Sequence, residues 1–213
     1  MKTKVIITLI LLWLGVVPFQ GHTQKPTLRV FTLDQSIFSC GDADVLIVLF
    51  FSSDSVKGIQ QTFGAEGNEI CAEPSGCYLG KVSQQSITGS FLPDYFNNVF
   101  KSPLTFKLTL NNNMLDVSKN NGTKYSFIEA DTQGWMYTTS SINLREKPSS
   151  NSKILTKIPK DQTVYLLEFG FYRTIGDKKG FWTKVKFGDQ EGWVFGSYLM
   201  HTDSNTGEEG VGN

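Results

Sequence analysis

At 213 residues the chain is long enough for one large domain or two small ones. Hydrophobic residues make up 39% and charged residues 19%, a balance that excludes an intrinsically disordered chain. With 20 basic and 20 acidic residues the chain is neutral, which argues against a general nucleic-acid binder, since phosphate binding needs a basic face.

Chain order begins with Lys2 and Lys4, followed by an apolar run from Val5 to Val17 broken only by Thr8 and Gly15. Polar Gln20, Gly21, His22 and Thr23 come next. A positive start, a short apolar stretch and a polar exit read residues 1–23 as an export signal. The stretch is too short to span a bilayer comfortably, so no transmembrane anchor is expected. The predicted location is the periplasm or the exterior.

Residues 24–130 read as a β-rich domain of about 100 residues, a common domain size. The first strand falls at Leu28–Phe31. Val45 to Phe51 (VLIVLFF) is a continuous apolar run, which predicts a strand buried on both faces. From Ser52 to Gly76 the chain is polar and glycine-rich with no clear period. Ser86–Phe91 predicts a further strand. Tyr95, Phe96, Val99 and Phe100 sit at helical spacing, so a short helix is expected within 93–101. Leu104 to Leu110 then alternates apolar and polar, and Met114–Val117 and Tyr125–Ile128 follow as strands. The turns Asn111–Asn113 and Asn120–Gly122 complete an antiparallel meander, the Asn-Gly pair suiting a turn with positive φ.

The cysteines are Cys40, Cys71 and Cys77. In an oxidising compartment two can pair, and Cys71 with Cys77, across a turn-rich segment, is the favoured disulfide. No CxxC is present and histidine is nearly absent, so no metal site and no cofactor are expected. A four-residue junction, 131–134, holds the next domain close, with a limited range of orientations. The tail, 201–213, has almost no apolar content and is expected to be disordered.

Residues 135–200 carry three blocks. The first runs Ile142-Asn143-Leu144-Arg145 through Pro148 to Ile154-Leu155. The second is Ile158-Pro159-Lys160-Asp161-Gln162-Thr163-Val164-Tyr165-Leu166. The third is Trp182-Thr183-Lys184-Val185-Lys186, a turn, Gly192-Trp193-Val194, then Ser197-Tyr198-Leu199. In this order and spacing they resemble the bacterial SH3 (SH3b) family. Asp161 stands where that family usually has glycine, and the segment 169–180 is longer than a minimal loop, which predicts an extended hairpin with its tip between Gly176 and Gly180. Leu144, Ile154, Leu155, Ile158, Val164, Leu166, Val185 and Val194 are the expected inward residues.

The resemblance implies a small barrel of five to seven strands that binds rather than reacts; with the β-rich N-terminal domain and its meander, a mainly all-β chain is expected. Its expected partner is a cell-wall polymer or an envelope protein. The ligand groove is expected beside the loop 146–152 and the hairpin 170–181, lined by Tyr172, Trp182, Trp193 and Tyr198, with Arg145 available to a carboxylate. Trp182 and Trp193 also fit core positions of a small barrel, and Arg145 a structural ion pair. A second reading is a periplasmic inhibitor or assembly factor that acts through the N-terminal domain by adding a partner strand to an exposed edge of the meander.

Catalytic signatures are sparse, and the chain is read as non-enzymatic. His22 and His201 are the only histidines, so a Cys-His or Ser-His-Asp arrangement lacks its base. A carboxylate pair for glycoside cleavage, drawn from Asp42, Asp44, Glu66, Glu69 and Glu73, is the remote alternative.

Overall fold

The computed structural model of the chain describes residues 27–33, 44–63, 75–83, 86–93, 103–131 and 133–202. The export signal, Cys40, Cys71, the acidic residues at 42, 66, 69 and 73, the helix expected within 93–101 and the tail beyond 202 lie outside them.

The N-terminal half forms β1 (Thr27–Leu33), β2 (Asp44–Phe51), β3 (Ser55–Phe63), β4 (Gly76–Ser83), β5 (Ser86–Pro93), β6 (Leu104–Asn111), β7 (Met114–Lys119) and β8 (Lys124–Glu129). Each strand pairs antiparallel with the next, and β1 pairs with β8 through Phe31–Glu129 and Leu33–Phe127. The result is a closed up-and-down barrel, a form without sheet edges. Strand addition to the 104–128 meander, the basis of the inhibitor reading, therefore has no edge to use: β6 is flanked by β5 and β7, and β8 by β7 and β1. The expected turns are present, with positive φ at Asn112 (54°) and Gly122 (93°).

An eight-stranded barrel is just wide enough for side chains to fill it. Here Phe31, Ile47, Leu49, Tyr78, Phe91, Leu108, Leu115 and Phe127 pack inside. Polar groups sit at the two ends. At one, Arg29 on β1 grips Glu129 on β8 with two hydrogen bonds, from Nε to Oε1 at 2.6 Å and from Nη2 to Oε2 at 2.5 Å. At the other, buried Gln60 accepts a bond from the Tyr78 hydroxyl at 2.5 Å, and Lys119 lies 3.8 Å from the Phe91 ring centroid.

The C-terminal half is a curled seven-stranded sheet: β9 (Trp135–Thr138), β10 (Ile142–Arg145), β11 (Ile154–Ile158), β12 (Thr163–Ile175), β13 (Lys178–Phe187), β14 (Gln190–Phe195), a 3₁₀ turn at Gly196–Tyr198, and β15 (Leu199–His201). The strand order is β11-β10-β14-β13-β12-β9-β15. The long β12–β13 hairpin is present, with its tip at Gly176–Asp177 and register shifts at 166–168 and 169–172 that bend it. Leu144, Ile158, Val164, Leu166, Val185 and Val194 are buried as expected, but Ile154 and Leu155 are 49% and 36% exposed. They lie on β11, an outermost strand of the sheet that pairs only with β10, so their side chains have no second layer to enter.

The two halves are more tightly joined than a short tether requires. Val30, Leu46, Val48 and Cys77 face outward from the barrel and share one buried cluster with Met136, Leu166, Phe169, Phe181 and Leu199 of the sheet. This explains the apolar run of β2. Val45, Ile47 and Leu49 enter the barrel, while Leu46 and Val48 enter the seam. β3 contributes the polar contacts, with Lys57 Nζ donating to the carbonyls of Phe169 at 3.0 Å and Gly170 at 2.7 Å. The segment 52–76, expected to be irregular, instead contains β3 and the start of β4. Cys77 is a strand residue buried in the seam, and no disulfide forms among the described residues.

Candidate functional site

The sheet carries a groove of about 250 Å³ on its outer face, bordered by Ser140, Ser141, Ile142, Asn143, Arg145, Ser150, Ile175, Trp182, Phe195 and Tyr198. Strand alternation explains the convergence. Trp182 on β13 is directly opposite Phe195 on β14, so both point to the same side. Their rings meet edge to face at 5.8 Å, and Phe195 meets Tyr198 at 6.4 Å. The three rings form an aromatic floor. Trp182 and Phe195 are buried, whereas Ile175, from the far end of β12, is 37% exposed at the rim.

The polar wall comes from β10 and the loop after it. Arg145 donates from Nη1 to the Ser152 carbonyl at 2.7 Å, which ties the guanidinium to the loop it borders. That loop is braced further by Glu146 N–H to Lys153 O at 3.0 Å and by Lys147 N–H to Ser152 Oγ at 2.9 Å. On the opposite side Ser197 Oγ donates to the Lys179 carbonyl at 2.5 Å, holding the 3₁₀ turn, and with it Tyr198, against the hairpin. The groove thus combines an aromatic floor, a guanidinium and several hydroxyls on a braced frame. This arrangement suits recognition of an extended ligand with alternating apolar and polar groups.

Of the expected lining residues, Arg145, Trp182 and Tyr198 meet at this groove, and Tyr172 and Trp193 lie elsewhere. Tyr172 packs edge to face on Phe181 at 5.8 Å, against the buried seam cluster. Trp193 stands opposite Lys184 on β13 and lies across Gly170, whose added Cβ would fall 2.7 Å from Trp193 Cζ3. Phe195 is not among the expected lining residues. Its signal is the period of two from Trp193, which puts Trp193 and Phe195 on one face of β14. Ile175 is hidden by its place in the hairpin extension, where no local pattern shows which way the strand bends.

A second cavity, about 310 Å³, lies in the seam between the halves, where Gln61, Cys77, Met136, Phe181 and Leu199 are among its walls. Beside the groove, Lys184 bonds Glu191 at 2.9 Å and holds that carboxyl below its ordinary value, chiefly through the hydrogen bond. No cluster of His, Cys, Asp and Glu suited to a metal ion occurs among the described residues, and none of their helices is long and apolar enough to cross a membrane.

Residues 140–200 match the family described as Bacterial SH3 domain. No curated protein and no solved structure matches the chain.

Proposed function

We propose that this is an exported, non-enzymatic binding protein whose SH3b-like domain recognises cell-wall material or an envelope protein through the groove above Trp182, Phe195 and Tyr198. The observation that carries the reading is the convergence of Arg145, from the first block of sequence, with Trp182 and Tyr198, from the two ends of the third, on one concave site. Bacterial SH3 domains bind rather than catalyse, and Lys2, Lys4 and the apolar run to Val17 support export.

The test is co-sedimentation of the full chain with purified peptidoglycan at low salt. Tyr198→Ala, and Ile175→Glu at the exposed rim, are expected to reduce retention at least tenfold while leaving the fold intact. Protein that stays in the supernatant speaks against wall recognition, and an envelope extract passed over the immobilised chain then tests the protein-partner form. Undiminished binding by both variants removes the groove from either form.

A further inference from the structure

Outside the groove, a second aromatic feature lies on the same outer face, toward the opposite edge of the sheet. Trp135 on β9 is 43% exposed, a large fraction for tryptophan on a regular strand. Its indole meets the Tyr165 ring at 4.9 Å and 76°. Register extends the feature into a row across four strands: Trp135 opposite Tyr165, Tyr165 opposite Lys186, and Lys186 opposite Glu191. Directly opposite residues in antiparallel strands stand about 5 Å apart, so the row runs two rings and then a cation and an anion, on backbone fixed by ladder pairing. Trp135 precedes the residues that match the bacterial SH3 family, so the row is not a feature of that match alone.

We propose that this row is a carbohydrate-binding platform, on which a pyranose stacks its apolar C–H face against the Trp135 indole while Lys186, and the Glu191 carboxylate oxygen left over from its 2.9 Å pair with Lys184, hydrogen-bond the hydroxyl or acetamido groups of the next residues along the glycan. Three properties select a glycan. The two ring planes form a corner, so a sugar laid on one ring meets the edge of the other, which positions it in two directions. The charges that follow are of both signs, which suits hydroxyl groups that donate and accept and gives no basic surface for an anionic membrane. The apolar part is two rings wide. A specific protein interface needs about 800 Å² per partner around a central apolar cluster, far more than this narrow row supplies.

The probes are chitotetraose, cellotetraose and an alginate tetrasaccharide, titrated into the full chain and followed by tryptophan fluorescence and by the indole N–H signals in NMR spectra. At least one glycan is expected to shift the Trp135 indole signal at millimolar concentration or below. Trp135→Ala is expected to weaken binding at least tenfold while lowering the melting temperature by only a few degrees, about the loss of one aromatic pair, and Tyr165→Ala to weaken it severalfold. Ile154→Glu, on exposed β11 and outside both the groove and the row, is expected to leave glycan binding unchanged, and a glycan that shifts the groove's Trp182 indole signal but not that of Trp135 counts against the platform and not against the groove. Absence of binding to all three glycans overturns the proposal. So does binding that survives both aromatic substitutions, or response only to anionic vesicles or to protein.

Discussion

The Gln61 side chain lies along the outer edge of β15 as a neighbouring strand would. Its Oε1 accepts from the His201 backbone N–H at 2.8 Å, and its Nε2 donates to the Leu199 carbonyl at 3.0 Å. A single amide on β3 of the barrel thus occupies the edge of the sheet that the β9–β15 pairing leaves open. Gln61→Ala removes both bonds and leaves a shielded backbone donor and acceptor to find water. A loss of about 1–2 kcal/mol is expected, read as a fall in melting temperature of about 2–4 °C per kcal/mol for a chain of this size. Gln61→Glu is expected to be at least as harmful, because it loses the donor to Leu199 and places a charge in the seam. An unchanged melting temperature in both variants would refute the edge-capping role.

The shared cluster carries a larger consequence. Leu46 and Val48 on the barrel and Met136, Phe169 and Leu199 on the sheet are parts of one buried apolar body, so neither half buries its own surface alone. Calorimetry of the full chain is expected to show one transition. Val48→Asp places an unpaired carboxylate in the seam, at a cost of several kcal/mol, while Val45, Ile47 and Leu49 still fill the barrel. That variant is expected to show two transitions and to gain protease cleavage between 130 and 135. Two transitions in the native chain would show that the halves are independent.

The same seam accounts for which elements can be read from sequence. β2 is legible because seven consecutive apolar residues fit a strand buried on both faces and are too few for a buried helix of ordinary length. β6–β8 are legible because each pairs with its chain neighbour across a turn with its own residue signature. β3 is illegible for the opposite reason. Its outward Lys57 and Gln61 are polar and look solvated, yet both are spent on backbone groups of the other half. Its inward Gln60 is polar and sits in the barrel, satisfied by Tyr78. Alternation of polarity therefore disappears from the strand. Closure of β1 on β8 rests on a pairing about a hundred positions apart, which no local window reports. At the groove, Arg145, Trp182 and Tyr198 are legible as members of the bacterial SH3 blocks. Tyr172 is turned toward Phe181 beyond the register shift at 169–172, and Trp193, on the groove's face of β14, stands one pair further along and lies over Gly170, neither of which a local pattern reports.

The Arg29–Glu129 pair offers a pH test. The guanidinium bonds on Glu129 hold its carboxyl below the ordinary value of 4.5, the hydrogen bond being the largest cause and burial opposing it. A carboxylate with a lowered folded-state pKa stabilises the fold above its unfolded-state pKa, and that stability is lost as pH falls through the folded-state value. Both side chains are partly exposed, so the pair contributes about 0.5–1 kcal/mol at pH 7. Relative to Glu129→Gln, the native chain is expected to be more stable to urea at neutral pH. The advantage should shrink as pH falls below 4.5 and vanish once the carboxyl is protonated in the folded state. A difference that stays constant from pH 7 down to acid unfolding would assign the effect to side-chain shape rather than charge.

Barrel closure also depends on a glycine pair. Gly80 on β4 stands directly opposite Gly89 on β5. An added Cβ at Gly89 would fall 2.0 Å from the Leu79 carbonyl oxygen and 2.5 Å from the Gly80 Cα, both backbone atoms of the adjoining strand. At Gly80 it would meet Phe106 Cζ at 2.8 Å and Val56 Cγ1 at 2.9 Å, which are side chains inside the barrel and can shift. At Gly122, where φ is +93°, it would meet nothing within 4 Å, so only backbone strain opposes it. The cost of alanine is therefore expected to rank Gly89 above Gly80 and Gly122. Gly89→Ala should cost about 3 kcal/mol or more, at the top of the overpacking range, because the ladder itself must part. Gly122→Ala should cost about 1–2 kcal/mol, the penalty for a left-handed residue with a Cβ. Urea midpoints of the three variants measure this order. A Gly89→Ala chain as stable as Gly122→Ala would mean that β4 and β5 do not approach as closely in solution as this register requires.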